Sequence, residues 1–231
     1  MNQSPALSLR VLILPCILFM NTQFALASDN ENLCFDLKSP IKSPLRTPIP
    51  FHPGKDTFES GKLEKPKKGL WGSARGEVKF SIKKVYDLLL DHYIIKSPDR
   101  IKLRVYPQDR IGYQDFHLVM VTLPTPIIDI KWEEEWGYVI TQGTEDIPQS
   151  VVISYQKSSG TSYVPHLCGS IVLNSLSPTS TDVYLYEEIN ALGKRSHEDT
   201  IKGHLGTLET LRKKGLTPEP VASPTPSQKK L

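Results

Sequence analysis

Residues 181–215 read TDVYLYEEINALGKRSHEDTIKGHLGTLETLRKKG, and the fold class turns on the change of rhythm inside this stretch. Thr181 to Ala191 is dense in β-branched and aromatic residues and reads as a strand. From Ser196 the pattern becomes helical. The Ser196 hydroxyl can cap a first turn while Asp199, three residues on, reaches back in a capping box. Ile201, Leu205, Leu208 and Leu211 then form one apolar stripe along a helix of about 18 residues that ends near Gly215. A long amphipathic helix at the end of a strand-rich chain needs an apolar face to cover, and a sheet with one greasy side supplies it.

Upstream, the same strand period recurs. Strands are expected at about Tyr113 to Leu123, Ile127 to Thr141, Ser150 to Gln156 and Leu167 to Leu176, with turn-rich breaks such as Pro124-Thr125-Pro126, Ser158-Ser159-Gly160 and Ser177-Pro178-Thr179. Ile101, Leu103 and Val105 alternate with Lys102, Arg104 and Tyr106 as a half-buried strand should. Connections this short make the strands antiparallel. Before them, a strand over Leu70 to Phe80 runs into Ser81, a good N-cap. Ile82, Val85, Tyr86, Leu89, Leu90 and Tyr93 follow at the three-and-four spacing of one buried helix stripe. The expected architecture is therefore α+β: a curved antiparallel sheet wrapped around a long C-terminal helix, with a short N-terminal helical segment.

The ends read differently from the middle. Residues 1–27 have the order of a secretory signal peptide: a polar start ending in Arg10, an apolar run from Val11 to Met20 and the small-residue site Ala25-Leu26-Ala27, with cleavage before Ser28. Pro15 before Cys16 argues against a lipoprotein site. The apolar run is about half the roughly 20 residues a membrane crossing needs, so the mature chain is expected not to span a membrane. Residues 28–68 form a proline-rich leader with Pro40, Pro44, Pro48, Pro50, Pro53 and Pro66, unsuited to regular ladders, although Leu33, Phe35 and Phe51 could dock on the domain. Residues 69–215 form the folded domain. Residues 216–231, rich in Pro, Ser, Thr and Lys, form a tail expected to be disordered. The product is expected to be exported, periplasmic or extracellular, and monomeric. Cys34 and Cys168 then survive processing, and in an oxidising compartment they are a candidate disulfide that would tie the leader to the domain.

Composition is that of an ordinary globular chain, 39% hydrophobic and 23% charged. A formal net charge of +3 is too small for nucleic acid, which calls for a concentrated basic face. The run Lys62, Lys65, Lys67, Lys68 reads as a solvated linker.

The chain resembles the START-like, or Bet v 1-like (SRPBCC, helix-grip), superfamily. Three stretches carry the resemblance: Gly76-Glu77-Val78-Lys79-Phe80 followed by Val85-Tyr86-Asp87-Leu88-Leu89-Leu90-Asp91; Pro124-Thr125-Pro126 with Trp132-Glu133-Glu134-Glu135-Trp136; and Tyr184 to Ala191 with Gly193 leading into the last helix. None is a strict signature, and the match is one of element order and texture. The resemblance implies a hydrophobic cavity between sheet and helix and binding of a lipid or other apolar small molecule. Some members of the superfamily are cyclases or isomerases and others bind proteins. It transfers no catalytic residue.

Candidate ligand-binding residues follow from the faces. Along Ile128, Ile130, Trp132, Glu134, Trp136 and Tyr138, alternate positions of one strand, all but one are large and apolar or aromatic, so this face is expected to point inward. Glu134 stands among them. Burial disfavours a lone carboxylate's charged form, which would suit a general acid or a polar ligand anchor, whereas a Lys or Arg partner, or solvent at that end of the strand, would make it structural. His197, Ile201, His204 and Leu208 share or border one helix face. The two histidines are about 10.5 Å apart, too far for one metal ion, so no metal is expected there. His117 and His166 lie on strands with no partner identifiable from spacing. Tyr184 and Tyr186, like Tyr113, Tyr138 and Tyr155, could offer hydroxyls to a ligand. No Gly-x-Ser-x-Gly, Cys-x-x-Cys, His-Glu-x-x-His or phosphate-cradling loop is present, and no cofactor is expected. The leading functional expectation is an exported carrier or sensor of a lipid-like molecule. The alternatives are a cyclase- or isomerase-type enzyme using a pocket carboxylate or histidine, and a protein-binding envelope module.

Overall fold

The computed structural model describes residues 33–65, 68–96, 100–192 and 196–216; the expected signal peptide and all of the tail beyond Leu216 lie outside the described residues. Eight strands make one antiparallel sheet: β1 (Thr57–Lys62), β2 (Leu70–Val78), β3 (Lys102–Pro107), β4 (Asp115–Leu123), β5 (Ile130–Gly143), β6 (Pro148–Gly160), β7 (His166–Ser177) and β8 (Ser180–Asn190). Their spatial order is β1-β2-β8-β7-β6-β5-β4-β3. Strands β3 to β8 are a simple meander, and β2 closes onto β8, so the last strand lies inside the sheet, third from one edge. Two helices, α1 (Ile82–Leu89) and α2 (His197–Gly215), pack on one face. This is the expected α+β helix-grip arrangement.

Local chemistry sets the helix boundaries. Ser81 caps α1 by accepting from the Lys84 amide, and Ile82, Val85, Tyr86 and Leu89 turn into the core. Ser196 and Asp199 form the full capping box on α2, with Glu198 and Asp199 in the first turn and Arg212, Lys213 and Lys214 in the last, each sign suited to its end of the helix dipole. Between sheet and helices lies the main core, in which Val85 and Leu89 of α1 and Leu208 and Leu211 of α2 meet Ala74, Trp136, Ile153, Leu173 and Val183. The α2 stripe is rotated from expectation. Thr200, His204, Thr207, Leu208 and Leu211 are buried while Ile201 and Leu205 are only half-buried. Glycine explains the rotation: a Cβ at Gly72 would sit 2.4 Å from Thr200 Cγ2, so the bare β2 backbone admits the small threonine face closely.

The leader is the largest departure from a simple two-layer reading. Residues 57–62 of it form β1, the edge strand beside β2. Residues 33–51 run across the sheet face opposite the helices and make a third layer. Phe35 and Leu37 pack against Phe116, and Ile49 packs against Val152, Val172, Tyr184 and Tyr186. Burying three such side chains contributes roughly 2 kcal/mol each. Phe35 docks as its composition allows, but Leu33 is exposed and Phe51 only half-buried; Leu37 and Ile49 are the deeper anchors. Proline takes away amide donors, so the strap borrows side chains instead. Gln156 Oε1 accepts from the Cys34 and Phe35 amides, both at 3.0 Å, and Gln156 Nε2 donates to the Phe35 carbonyl. Ser170 Oγ accepts from the Leu45 amide, and Arg75 donates to the Ile49 carbonyl while holding Asp182 bidentately. Cys34 and Cys168 are joined as a disulfide, with Cα atoms 6.3 Å apart and a sequence separation of 134. A loop of this length corresponds to about 4–5 kcal/mol in the chain-entropy picture, less here because the strap is already docked by these contacts.

Candidate functional site

The helix α2 rests chiefly on β2, at one side of the sheet, and leaves a gap over β6, β7 and β8. There a partly open cavity of about 60 Å³ is lined by Ile95, Tyr155, Ile171, Leu185, Glu187, Thr200, Gly203, His204 and Thr207. Its sheet floor joins apolar Ile171 and Leu185 to Tyr155 and Glu187, with Tyr155 donating to Glu187 Oε2 at 3.2 Å. Thr200, His204 and Thr207 descend from one face of α2 to form the roof. The space exists because of small residues. Gly169 opposite Tyr155 has no side chain, so the phenol ring lies over bare β7 backbone, and Gly203 presents only hydrogen at the mouth.

Of the expected ligand residues, His204 lines this cavity. Trp136 borders it indirectly through a parallel stack on Tyr155, with ring centroids 4.0 Å apart. Leu208 belongs to the closed core, and Ile201 and His197 are half-buried on α2 outside the lining. Tyr138 is buried beneath α1, where its hydroxyl donates to the Leu89 carbonyl and burial holds it well above the usual phenol range. Trp132 sits at the border of the core. Ile128 does not belong to the inward face at all: β5 begins at Ile130, and Ile128 lies exposed in the preceding turn.

Tyr184 and Tyr186 require correction. Both point to the strap face, not toward α2, and Tyr186 donates to Glu188 Oε1 at 3.1 Å. The inward residues of β8 are Val183, Leu185 and Glu187. The sequence of β8 does not distinguish its faces, because this interior strand is covered on both sides and Val183, Tyr184, Leu185 and Tyr186 are all buried.

Glu134 is fully buried and is held by three donors. Lys96 Nζ and Trp132 Nε1 each lie 2.7 Å from Oε1, and Trp136 Nε1 lies 3.0 Å from Oε2. An ammonium and two indoles make it a fixed structural carboxylate. Close by, His92 Nε2 and His117 Nδ1 share a hydrogen bond of 2.9 Å, with His92 edge-on to Trp136. Burial, then the charges of His117 and Lys96, push His92 down to about 3, and burial lowers His117 as well. Tyr86, which donates to Asp115, is raised by burial and by that carboxylate. This polar cluster lies between β4, β5 and the turn after α1, beside the cavity but not in its lining: Lys96 follows the lining Ile95, and Trp136 stacks on the lining Tyr155.

The antiparallel sheet with a cavity beneath its terminal helix is a helix-grip fold, and solved START-domain structures share it. Among solved structures of this class, the human StarD13 lipid transfer and protein localization domain superposes with a TM-score of 0.51 at 12% identity, covering 75% of this chain and 90% of its own. The STAR-related lipid transfer protein from Xanthomonas axonopodis also gives 0.51, at 13% identity, covering 72% of this chain and 96% of its own. No protein-family model and no curated protein matches the chain by sequence. The similarity is one of fold.

Proposed function

We propose that this chain is an exported carrier or sensor of a small apolar molecule that carries a hydrogen-bonding end. The observation that supports it is the make-up of the cavity beneath α2: apolar Ile95, Ile171 and Leu185 line it together with Tyr155 and Glu187 of the sheet, and Thr200, His204 and Thr207 of α2 add further donors and acceptors. Two structural neighbours are named for lipid transfer, which fits the same use of the fold. The signal-like order of residues 1–27 and the Cys34–Cys168 disulfide support export to an oxidising compartment. Among the described residues no helix is long and apolar enough to cross a membrane.

Volume constrains how loading occurs. The cavity of about 60 Å³ is well below the roughly 300 Å³ at which ligand pockets begin, so a guest of lipid size enters only as α2 lifts from the sheet. Gly203 and Gly206 lie mid-helix, where each lowers helix stability by about 1 kcal/mol relative to alanine, and this softens the segment that must move. Native mass spectrometry of the chain exported and purified without denaturant tests the reading. A co-purified or added fatty acid or isoprenoid bound one to one is expected; an apo species that takes up no such probe contradicts it.

A second reading, an acid–base enzyme of the same fold, draws on the convergence of Glu187, Tyr155 and His204 on one cavity. The same experiment separates the two. Because isomerisation conserves mass, the bound molecule is released and fragmented: a fragmentation spectrum or chromatographic retention that changes during incubation with the wild type, but not with Glu187→Gln, marks an enzyme, and an unchanged molecule marks a carrier.

A further inference from the structure

The sheet face opposite the cavity carries a second cluster with its own chemistry. Cys34 comes from the strap, His166 and Cys168 are two apart on one face of β7, and Glu188 is the register partner of Cys168 on β8. One ligand atom from each lies within 4.8 Å of every other, and His166, Cys168 and Glu188 are buried. A disulfide is neutral and asks for neither an imidazole nor a carboxylate beside it. His166 and Glu188 satisfy each other at 3.0 Å and lie directly against the two sulfurs, so four potential ligand atoms converge in one buried place. Together they are the donor set of a soft-to-borderline divalent metal.

The distances can be compared with a tetrahedron. Zinc bonds of about 2.3 Å to sulfur and about 2.0 Å to nitrogen and oxygen put S···N and S···O edges near 3.5 Å and the N···O edge near 3.3 Å. His166 Nε2 lies 3.5 Å from Cys168 Sγ and 3.7 Å from Cys34 Sγ. Glu188 Oε2 lies 3.9 and 4.0 Å from the same two sulfurs and 3.0 Å from His166 Nε2. These edges all fall within about 0.5 Å of the tetrahedral values. Only the edge between the sulfurs, now a covalent bond, must open, to about 3.8 Å. Supporting contacts are in place. Tyr186 donates to the other Glu188 oxygen, and Gln156 fixes the Cys34 amide, while the paired strands β7 and β8 hold three of the four donors rigidly.

We propose that Cys34, His166, Cys168 and Glu188 form a redox-gated zinc site, in which the metal replaces the disulfide as the pin between strap and sheet. In the oxidised chain the S–S bond holds the strap. A dithiol reductant delivers two electrons and two protons to that bond and itself becomes a disulfide; Zn²⁺ then displaces the two thiol protons, and the thiolates, the His166 imidazole and the Glu188 carboxylate bind it. The strap stays anchored in both states. The site is independent of the α2 cavity, because it lies on the other face of the sheet.

The test uses the full chain with Cys16→Ser throughout, so that the only thiols are this pair. A phosphine reductant replaces the dithiol because dithiols chelate zinc; it takes oxygen from water and leaves both thiols protonated. Metal content after gel filtration, and competition against a chromophoric zinc chelator, are then read on oxidised and reduced protein. The expected result is one zinc per reduced chain and none per oxidised chain, with affinity at least tenfold weaker in Glu188→Gln and lost in Cys34→Ser. Cobalt substitution should give the intense visible bands of a tetrahedral thiolate site. Cys34 lies on the strap, outside the main core, and circular dichroism of Cys34→Ser verifies that the domain is folded. Reduced protein that binds no zinc overturns the proposal, as does equal zinc uptake by the oxidised chain or by folded Cys34→Ser.

Discussion

Replacing Lys96 with methionine removes one charge from a buried pair and keeps most of the apolar stem. Glu134 has no exposed side-chain surface and Lys96 retains 13%, so the ammonium is the main counter-charge to a carboxylate that water does not reach. Breaking such a pair usually costs 3–5 kcal/mol, because the remaining charge stays buried. Here the Trp132 and Trp136 indoles still donate to the carboxylate, which places the expected loss at about 3 kcal/mol. For a domain of this size that lowers Tm by about 6–12 °C. Adding Glu134→Gln removes the stranded charge and leaves an oxygen for one indole, so the double variant should recover about 2 kcal/mol of the loss. Urea denaturation of wild type, both singles and the double at pH 7 measures the coupling. A Lys96→Met variant within about 0.5 kcal/mol of wild type, or a double variant no better than Lys96→Met, would refute the view of Glu134 as a fixed structural carboxylate.

Acid should weaken the fold through His92. Its folded value near 3 lies below the unfolded value of 6.5, so the unfolded chain takes up a proton that the folded chain refuses, and stability falls as pH drops from about 6.5 towards 3, by on the order of 4 kcal/mol. His92→Phe should flatten that limb of a urea-midpoint profile, whereas an unchanged slope would show that other groups carry it. Gly206→Ala should raise stability by about 0.5–1 kcal/mol, because a Cβ there meets no atom within 4 Å and the backbone loses less entropy on folding. A lower denaturation midpoint for this variant would mean that the α2 surface at Gly206 is covered.

Much of this architecture was legible because its signals are local. The Ser81 cap and the Ser196–Asp199 capping box depend on residues within a turn of one another, and both are realised; the α1 stripe holds over Ile82, Val85, Tyr86 and Leu89, whereas the helix ends before Tyr93, which is exposed. The meander was readable from short polar breaks between β-rich runs. What could not be read depended on a third layer. Residues 28–68 advertise themselves by proline, and nothing local announces that Gln156, Ser170 and Arg75 will satisfy their backbone from the sheet. Once that strap covers the outer face, the central strands are apolar on both sides and the period-two pattern no longer distinguishes inside from outside. The hydroxyls of Tyr184 and Tyr186 suggest a ligand contact by residue type alone, and nothing in the pattern tells their face from that of Leu185 and Glu187, which line the cavity. In β5 the odd residue of an aromatic face was noticed, but its partner Lys96 comes from the turn after α1, a contact 38 residues away in sequence. The histidine at 166 likewise had no visible partner, because its neighbours come from the strap and from β8.

The central claim is that the gap beneath α2 receives a guest molecule. Gly203 stands at its mouth, and a Cβ built there meets nothing within 4 Å, so Gly203→Trp can plug the opening without disturbing the helix contacts. Fluorescent fatty-acid titration of wild type and Gly203→Trp, matched for circular dichroism and Tm, is the direct measurement. Saturable one-to-one binding by wild type, weakened at least tenfold by the tryptophan, is the predicted result; no binding by wild type, or equal binding by both, would contradict it.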